Sequence, residues 1–382
     1  MKIITCTIAC FFSVIAGATA EKGKPNILLI LADDLGYHDV GFQGSERIRT
    51  PHLDQLAATG MRFADGHVSA SVCSPSRAGM MTGRYQQRFG HEANVPPPTH
   101  GMDVNERTLG QALKVLGYRT ALFGKWHLGN EPKQYPTRRG FDEFYGLRDG
   151  HRTFWYDPAH DHDRPGDPKN VEHNGKQVRF EGHFTDWLGD RTVEFVNDSR
   201  DQPFFAFLSF TAPHAPLEAK PEDLEALGTD DHYCGLVYGL DRNIGKVVDA
   251  LKRNGQFENT LIWFLSDNGR TVRQASNHPL GGKKGTKFEG GHRVPFILHW
   301  SNRVTAGVYD SMVSALDIYA TSVKAAGGDL KQERPLDGVD LMPYLNGKKQ
   351  GEPHPQLLWR KLECAAARDG DWKLIRVENH GF

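Results

Sequence analysis

This chain of 382 residues has almost no net charge: 46 lysines and arginines against 47 aspartates and glutamates leave −1 with histidine neutral. No global field therefore recommends a nucleic acid or an anionic membrane as partner, although one cleft can still be strongly charged. Beyond the N-terminus no segment offers the ~20 consecutive apolar residues that a bilayer span needs. Internal repeats, heptads and low-complexity tracts are also missing. Cysteine is scarce, with five in all. Cys6 and Cys10 fall in an N-terminal leader, so Cys73, Cys234 and Cys364 remain. An odd number in an oxidising compartment means either one disulfide plus one free thiol, or three unpaired thiols.

What is present begins with that leader. Lys2 supplies a positive start, Ile3 to Ala16 are mostly apolar, and Ala18-Thr19-Ala20 is a small-x-small cleavage site before Glu21. This is the pattern of a signal peptide over residues 1–20, and its apolar stretch is too short for a membrane anchor. The mature chain is expected to be exported, periplasmic or extracellular, without a stable membrane anchor. Its 41 glycines and 21 prolines point to many loops, as in a large α/β enzyme whose functional residues sit on connections.

Four short apolar runs each end in a polar cluster. Asn26 to Ala32 ends in Asp33-Asp34, and Thr120 to Phe123 in Gly124-Lys125-Trp126-His127. Phe204 to Phe210 ends in Thr211-Ala212-Pro213-His214, and Thr260 to Leu265 in Ser266-Asp267-Asn268-Gly269. Runs of this length bounded by turn residues predict strands buried on both faces of a largely parallel sheet. Helices fill the gaps. Thr50-Pro51 opens one that Gly60 ends. Asn105 is expected to cap a second, running to about Leu116. Val237, Leu240, Ile244, Val247, Val248 and Leu251 recur at helical spacing, and a further helix is expected over 311–326. Alternating strands and helices give an α/β fold with helices on both faces of the sheet. In such sheets ligands bind beyond the carboxyl ends of the strands, where the four clusters lie.

Two adjacent acids at a strand end repel each other, and burying both without a cation is expensive. Asp33-Asp34 with Asp267-Asn268 offers an all-oxygen set that suits Ca²⁺ or Mg²⁺ better than zinc. Cys73 opens the segment Cys73-Ser74-Pro75-Ser76-Arg77, followed by Thr82-Gly83-Arg84. A thiol at a helix start with an arginine four residues on could be an activated cysteine nucleophile.

The same segment spells C-x-P-S-R followed by T-G-R, and in this it resembles the type I sulfatases of the alkaline-phosphatase-like superfamily. Other segments resemble that family in the expected order: Ala32 to Tyr37, Gly124-Lys125-Trp126-His127-Leu128-Gly129, Pro213-His214, Asp267-Asn268-Gly269, and the stretch Gly282 to Pro295. Alignment on Lys-Gly-Thr places Lys284, rather than its neighbour Lys283, on the functional lysine. The resemblance extends from Lys24 to Ile375.

It implies that a sulfatase-maturation enzyme oxidises Cys73 to formylglycine, whose hydrated aldehyde is the nucleophile. It also implies that Asp33, Asp34, Asp267, Asn268 and the modified Cys73 hold one cation, Ca²⁺ with Mg²⁺ as the alternative. Arg77 lies about one helical turn beyond Cys73 and is expected to fix the hydrate. Lys125 and Lys284 are candidates to neutralise the sulfate oxygens, with His214 beside them as a substrate-binding residue. His127 and His214 are the candidate proton carriers. The expected activity is hydrolysis of sulfate esters, with a sulfated carbohydrate as substrate.

Residues 21–350 would form the catalytic domain, and 351–382 the start of a C-terminal subdomain that stops soon after a strand at Ala367 to Ile375. Residues Gly150 to Gly182 read as an irregular insertion. There Phe154, Trp155 and Tyr156 could stack on sugar rings or simply anchor the loop, and His160 and His162 fit a solvated loop better than a zinc site. Two rival functions remain open: a phosphoester hydrolase of the same superfamily, which normally uses Ser or Thr with zinc, and a non-catalytic glycan-binding relic.

Overall fold

The computed structural model describes residues 23–94, 101–156, 167, 169–331 and 334–377. The leader with Cys6 and Cys10, together with His160 and His162, lies outside the described residues.

Along the chain the strands are β1 (Asn26–Ala32), β2 (Met61–Phe63), β3 (Gly66–His67), β4 (Arg119–Lys125), β5 (Glu143–Leu147), β6 (Glu172–His173), β7 (Lys176–Gln177) and β8 (Phe204–Ser209). They continue with β9 (Thr260–Ser266), β10 (Phe296–His299), β11 (Gly307–Tyr309), β12 (Val313–Ser314), β13 (Gln356–Lys361), β14 (Cys364–Asp369) and β15 (Trp372–Arg376). The helices are α1 (Pro51–Thr59), α2 (Cys73–Thr82), α3 (Leu109–Val115), α4 (Phe184–Asp198), α5 (Pro221–Leu227), α6 (His232–Arg253), α7 (Glu289–His292), α8 (Asp317–Ala325) and α9 (Met342–Leu345).

The principal sheet runs β11-β2-β10-β9-β1-β8-β4-β5-β6-β7. Its centre, β9-β1-β8-β4-β5, is parallel, while β10 runs antiparallel beside β9. Side chains alternate across a strand, so the run Asn26–Ala32 fills both faces. Leu28, Ile30 and Ala32 join a core with Leu53, Leu188 and Leu240 from α1, α4 and α6. Ile27, Leu29 and Leu31 join a second core with Met80, Leu113 and Ile318 from α2, α3 and α8. Both faces are covered by helices, and the polar strand ends are left at the carboxyl edge.

Several local expectations need correction. α3 is capped by Thr108, not Asn105. Thr108 Oγ1 accepts from the Gln111 amide while the Gln111 side chain accepts from Thr108 N–H, a reciprocal capping box. Residues 311–326 do not form one helix: β12 pairs with β3 first, and α8 starts only at Asp317. The expected strand at Ala367 to Ile375 is a hairpin of β14 and β15 that turns at Gly370-Asp371, and with β13 it forms a three-stranded antiparallel sheet. Of the three aromatics in the insertion, Phe154 is buried in the core, so it anchors the loop and cannot meet a sugar. Trp155 is 36% exposed. All three remaining cysteines are unpaired.

Asp186, in the first turn of α4, ties three elements together. It accepts hydrogen bonds from Lys220 Nζ (2.8 Å) and Asn243 Nδ2 (2.6 Å), and Arg242 Nη2 lies 2.8 Å away. Burial opposes the charged carboxylate, but Lys220, Asn243 and Arg242 outweigh it and hold its pKa at about 2. A folded-state value below the unfolded one contributes stability above the ordinary carboxylate pKa, and that contribution is lost as pH falls through about 2. Asp186→Asn is expected to lose roughly 2 kcal/mol at neutral pH, a deficit that shrinks as pH drops below about 4. Urea denaturation of both proteins at pH 7 and pH 3 checks this.

Candidate active site

The carboxyl ends of β1 and β9 are stitched by backbone bonds. Asp267 N–H donates to Ala32 O, and Asp33 N–H donates to Ala212 O beyond β8, both at 3.0 Å. This places Asp33, Asp34, Asp267 and Asn268 side by side. Asp34 holds φ at 66°, in the left-handed region, which turns the chain sharply after the strand. Its N–H donates to Asp267 Oδ1 at 3.2 Å.

α2 delivers Cys73 and Arg77 to the same point. The Cys73 Sγ lies 3.6 Å from Asp33 Oδ1 and 3.9 Å from Asp34 Oδ1. Burial pushes its pKa up to about 12; Lys125 opposes this, while Asp267, Asp33 and Asp34 add to it. Among these acids the unmodified thiol is thus the opposite of an activated thiolate. One turn on, Arg77 is buried: Nε donates to Asp267 Oδ2 (3.0 Å), and Nη1 donates to Ser209 Oγ (2.6 Å) and Lys125 O (3.1 Å). Nη2 lies 2.9 Å from Asp267 Oδ2. Burial disfavours the Asp267 carboxylate, yet Arg77, Lys125 and Lys284 hold its pKa far below the usual range. Arg77 therefore braces an acid as well as reaching towards Cys73.

Lys125 is the last residue of β4 rather than a loop residue. Gly124 before it sits at φ 107°, and a Cβ there would come within 1.9 Å of Ser209 O. That close approach lets β4 and β8 converge. Lys125 Nζ donates to Asp33 Oδ2 and Lys284 Nζ to Asp34 Oδ1, both at 2.6 Å. Burial works against the Lys284 ammonium, but Cys73, Asp34, Asp33 and Asp267 together raise its pKa. Lys283 points to solvent, so of the two lysines it is Lys284 that enters the site.

His127 also adopts a left-handed backbone, φ 56°. Burial, then the Lys125 and Arg77 cations, hold its pKa well below that of free histidine. Its Nδ1 is buried with no hydrogen-bond partner among the described residues. His214 Nδ1 is 2.6 Å from Ala215 O, an acceptor only, so Nδ1 carries the proton and Nε2 faces Asp34 Oδ2 at 3.5 Å. All ten sequence-selected residues thus meet at one carboxyl edge. Three neighbours were missed. Ser209 is the lone polar residue closing the run FFAFLS. Thr271, whose Oγ1 donates to Asp34 Oδ2 at 2.5 Å, follows the Asp267 loop. His151 stacks beside His214 at 5.6 Å between ring centroids, and nothing in the sequence pointed to it.

The residues present fit a hard cation. Ligand atoms of Asp33, Asp34, Cys73 and Asp267 all lie within 4.8 Å of one another. Asn268 donates its amide nitrogen to Asp34 Oδ1 at 2.6 Å, which leaves Oδ1 buried without a hydrogen-bond partner among the described residues. Such an acceptor needs a partner. Three carboxylates balance the cations Arg77, Lys125 and Lys284, so a divalent ion would leave the pocket doubly positive and suited to an anionic substrate.

Residues 25–328 match the sulfatase family. The chain is 33% identical to the uncharacterized sulfatase YdeN of Escherichia coli K12, across 89% of this chain and 69% of that one. It is 34% identical to human N-acetylgalactosamine-6-sulfatase, across 88% and 69%. The solved structure of Ps i-CgsB superposes with a TM-score of 0.89 at 38% identity, covering 94% of this chain and 85% of that one. The same protein has been solved in complex with k-i-k-neocarrahexaose.

Proposed function

Because this chain belongs to the sulfatase family and is a sulfate-ester hydrolase with the alkaline-phosphatase-like fold, we propose that it removes sulfate from a carbohydrate, using a formylglycine made from Cys73. The supporting observation is the convergence of Asp33, Asp34, Cys73 and Asp267 within 4.8 Å, with two lysines and Arg77 packed against them. Asp33, Asp34, Asp267, Asn268 and residue 73 would hold the cation, which we assign as Ca²⁺, with Mg²⁺ as the alternative. When bound, it stabilises an ionised hydroxyl and polarises a sulfate oxygen.

Oxidation of Cys73 by a maturation enzyme supplies a hydrated aldehyde. One of its hydroxyls attacks sulfur, and the other later allows sulfate to be expelled. Lys125 and Lys284 neutralise the sulfate oxygens as charge moves to the leaving alcohol. His214 in its imidazolium form, with a second proton on the Nε2 that faces Asp34 and the site, gives that alcohol its proton, or the Lys284 ammonium does so. His127, held neutral by burial and its cationic neighbours, takes the proton of the second hydroxyl. Arg77 orients residue 73 and keeps Asp267 ionised. A carbohydrate substrate is favoured by the oligosaccharide complex of the 38%-identical relative and by the exposed Trp155 ring.

The test is to express the chain with and without a maturation enzyme and to weigh the Cys73 peptide. Hydrolysis of 4-nitrophenyl sulfate is expected to rise with the fraction converted to aldehyde, while 4-nitrophenyl phosphate is spared. A fully converted preparation inert towards sulfate esters, or one that prefers the phosphate, would defeat the proposal.

A further inference from the structure

Outside the site, a second group of polar residues is buried where the three-stranded sheet meets the catalytic edge. Ligand atoms of Asp65, His67 and Glu289 lie within 4.8 Å of one another. The chain's own cations already serve those oxygens: Arg368 Nη1 donates to Asp65 Oδ1 (2.9 Å) and Glu289 Oε2 (3.2 Å), and Lys373 Nζ donates to Glu289 Oε1 (2.6 Å). The group is therefore a network rather than a metal site.

Its proton positions are fixed by elementary bonding. Lys373 Nζ lies 2.7 Å from His292 Nε2, and an ammonium only donates, so Nε2 accepts and Nδ1 carries the proton. That Nδ1 is 3.0 Å from His67 Nδ1, which must accept. His67 Nε2 then holds a proton and donates it to Asp65 Oδ1 at 2.8 Å. Contacts that would need the reverse order are longer: Lys287 O to His292 Nε2 at 3.4 Å, and Arg368 Nη1 to His67 Nε2 at 3.3 Å. Every bond in the series points one way, and both rings are neutral. Burial lowers the pKa of both, and the Lys373 cation lowers that of His292 further.

The series meets the catalytic edge through α7, which carries His292. His292 closes α7, and Val68 N–H donates to its carbonyl (2.8 Å). In α7, Gly290 N–H donates to Gly281 O (2.7 Å), at the root of the segment that carries Lys284, and Gly269 N–H donates to Gly291 O (3.1 Å), next to Asn268. A Cβ on Gly269 would fall 1.8 Å from Gly290 O, so the two loops have no slack between them.

We propose that the ordered chain Lys373→His292→His67→Asp65 makes Lys373, on the three-stranded sheet, a positioning residue for turnover, fixing α7 and through it Lys284 and the Asn268 loop. The proposal rests on the roles given above for Lys284 and Asn268. Removing the donor frees His292 Nε2 to take up a proton. An imidazolium there turns an N–H towards Lys287 O and loosens the joint with β15. The charged groups facing the pair are Asp65 beside β3, Glu289 on α7, Lys287 and Arg293 on its flanks, Arg368 on β14 and Lys373 on β15.

Trp359 reports the event, because its ring stacks on His292 at 3.9 Å and 21°, and an adjacent imidazolium quenches indole fluorescence. Lys373→Met is expected to lower kcat on 4-nitrophenyl sulfate roughly tenfold, with KM and Cys73 conversion little changed. Its Trp359 quench, obtained by difference from the matching Trp359→Phe protein, should move up by about one pH unit. Lys373→Arg, which keeps a cationic donor, should restore both. Lys373→Gln, shorter and polar, serves as the companion variant if the methionine protein folds poorly, and is expected to lose kcat in the same way. Wild-type kcat with an unmoved quench in a folded variant overturns the proposal. Because wild-type turnover is measured in parallel, that result leaves the sulfatase reading untouched, whereas an inert wild type would fail that reading instead.

Discussion

Cys73→Ala is expected to reduce sulfate-ester turnover by roughly 10⁴-fold or more, because the proposed cycle takes both of its hydroxyls, the attacking one and the one that later expels sulfate, from residue 73. Lys125 and Lys284 are engaged with Asp33 and Asp34 at 2.6 Å, and the proposed mechanism gives the site histidines proton transfer rather than attack. Cys73→Ser separates nucleophile from cycle. A serine hydroxyl can be sulfated, but the resulting ester has no second hydroxyl to expel sulfate, so the expected outcome is at most one sulfate retained per chain and then arrest. Intact mass after incubation with 4-nitrophenyl sulfate distinguishes the two variants. Sustained turnover by either one would remove residue 73 from the mechanism.

Arg77→Ala is expected to destabilise the protein by about 3–5 kcal/mol as well as silence it, because truncating one partner leaves a buried charge uncompensated. Asp267 would lose both guanidinium contacts, and Ser209 Oγ and Lys125 O would lose the Nη1 donor. Arg77→Lys keeps the charge but not the fork. One ammonium cannot reach Asp267, Ser209 and Lys125 O together, so most of the loss should remain. Urea unfolding of the cation-free proteins measures it, and a change below about 1 kcal/mol would show that Asp267 is braced by something else.

The central sheet was legible because β1, β8 and β9 are buried on both faces and so appear as unbroken apolar runs. β5, β10 and β11 were not legible. They are short, and a neighbouring strand rather than an internal period holds them. The cap of α3 could have been read: Thr108-Leu109-Gly110-Gln111 carries the capping-box spacing, but Asn105 drew the assignment because asparagine is a strong cap in isolation. The site divides in the same way. Residues within short dense motifs, such as Asp33-Asp34 and Cys73 to Arg77, carry their chemistry in adjacent letters. Gly282 to Pro295 even distinguishes Lys284 from Lys283. His151 comes from a loop whose course is set by packing, and its place beside His214 is visible only in three dimensions. Arg77 was expected to serve residue 73; that its fork donates to Asp267, Ser209 and Lys125 O emerges only from the packing of α2 against the strand ends.

One property of α2 bears on timing. Cys73 is 1% accessible, lying beneath loops drawn from positions as distant as 33 and 284. No enzyme could grip that thiol in the finished fold. On the formylglycine proposal, conversion must therefore precede closure, while the segment around residue 73 is still open. A molecule that folds before it is oxidised would be sealed in its inactive form, however much maturation enzyme arrives afterwards.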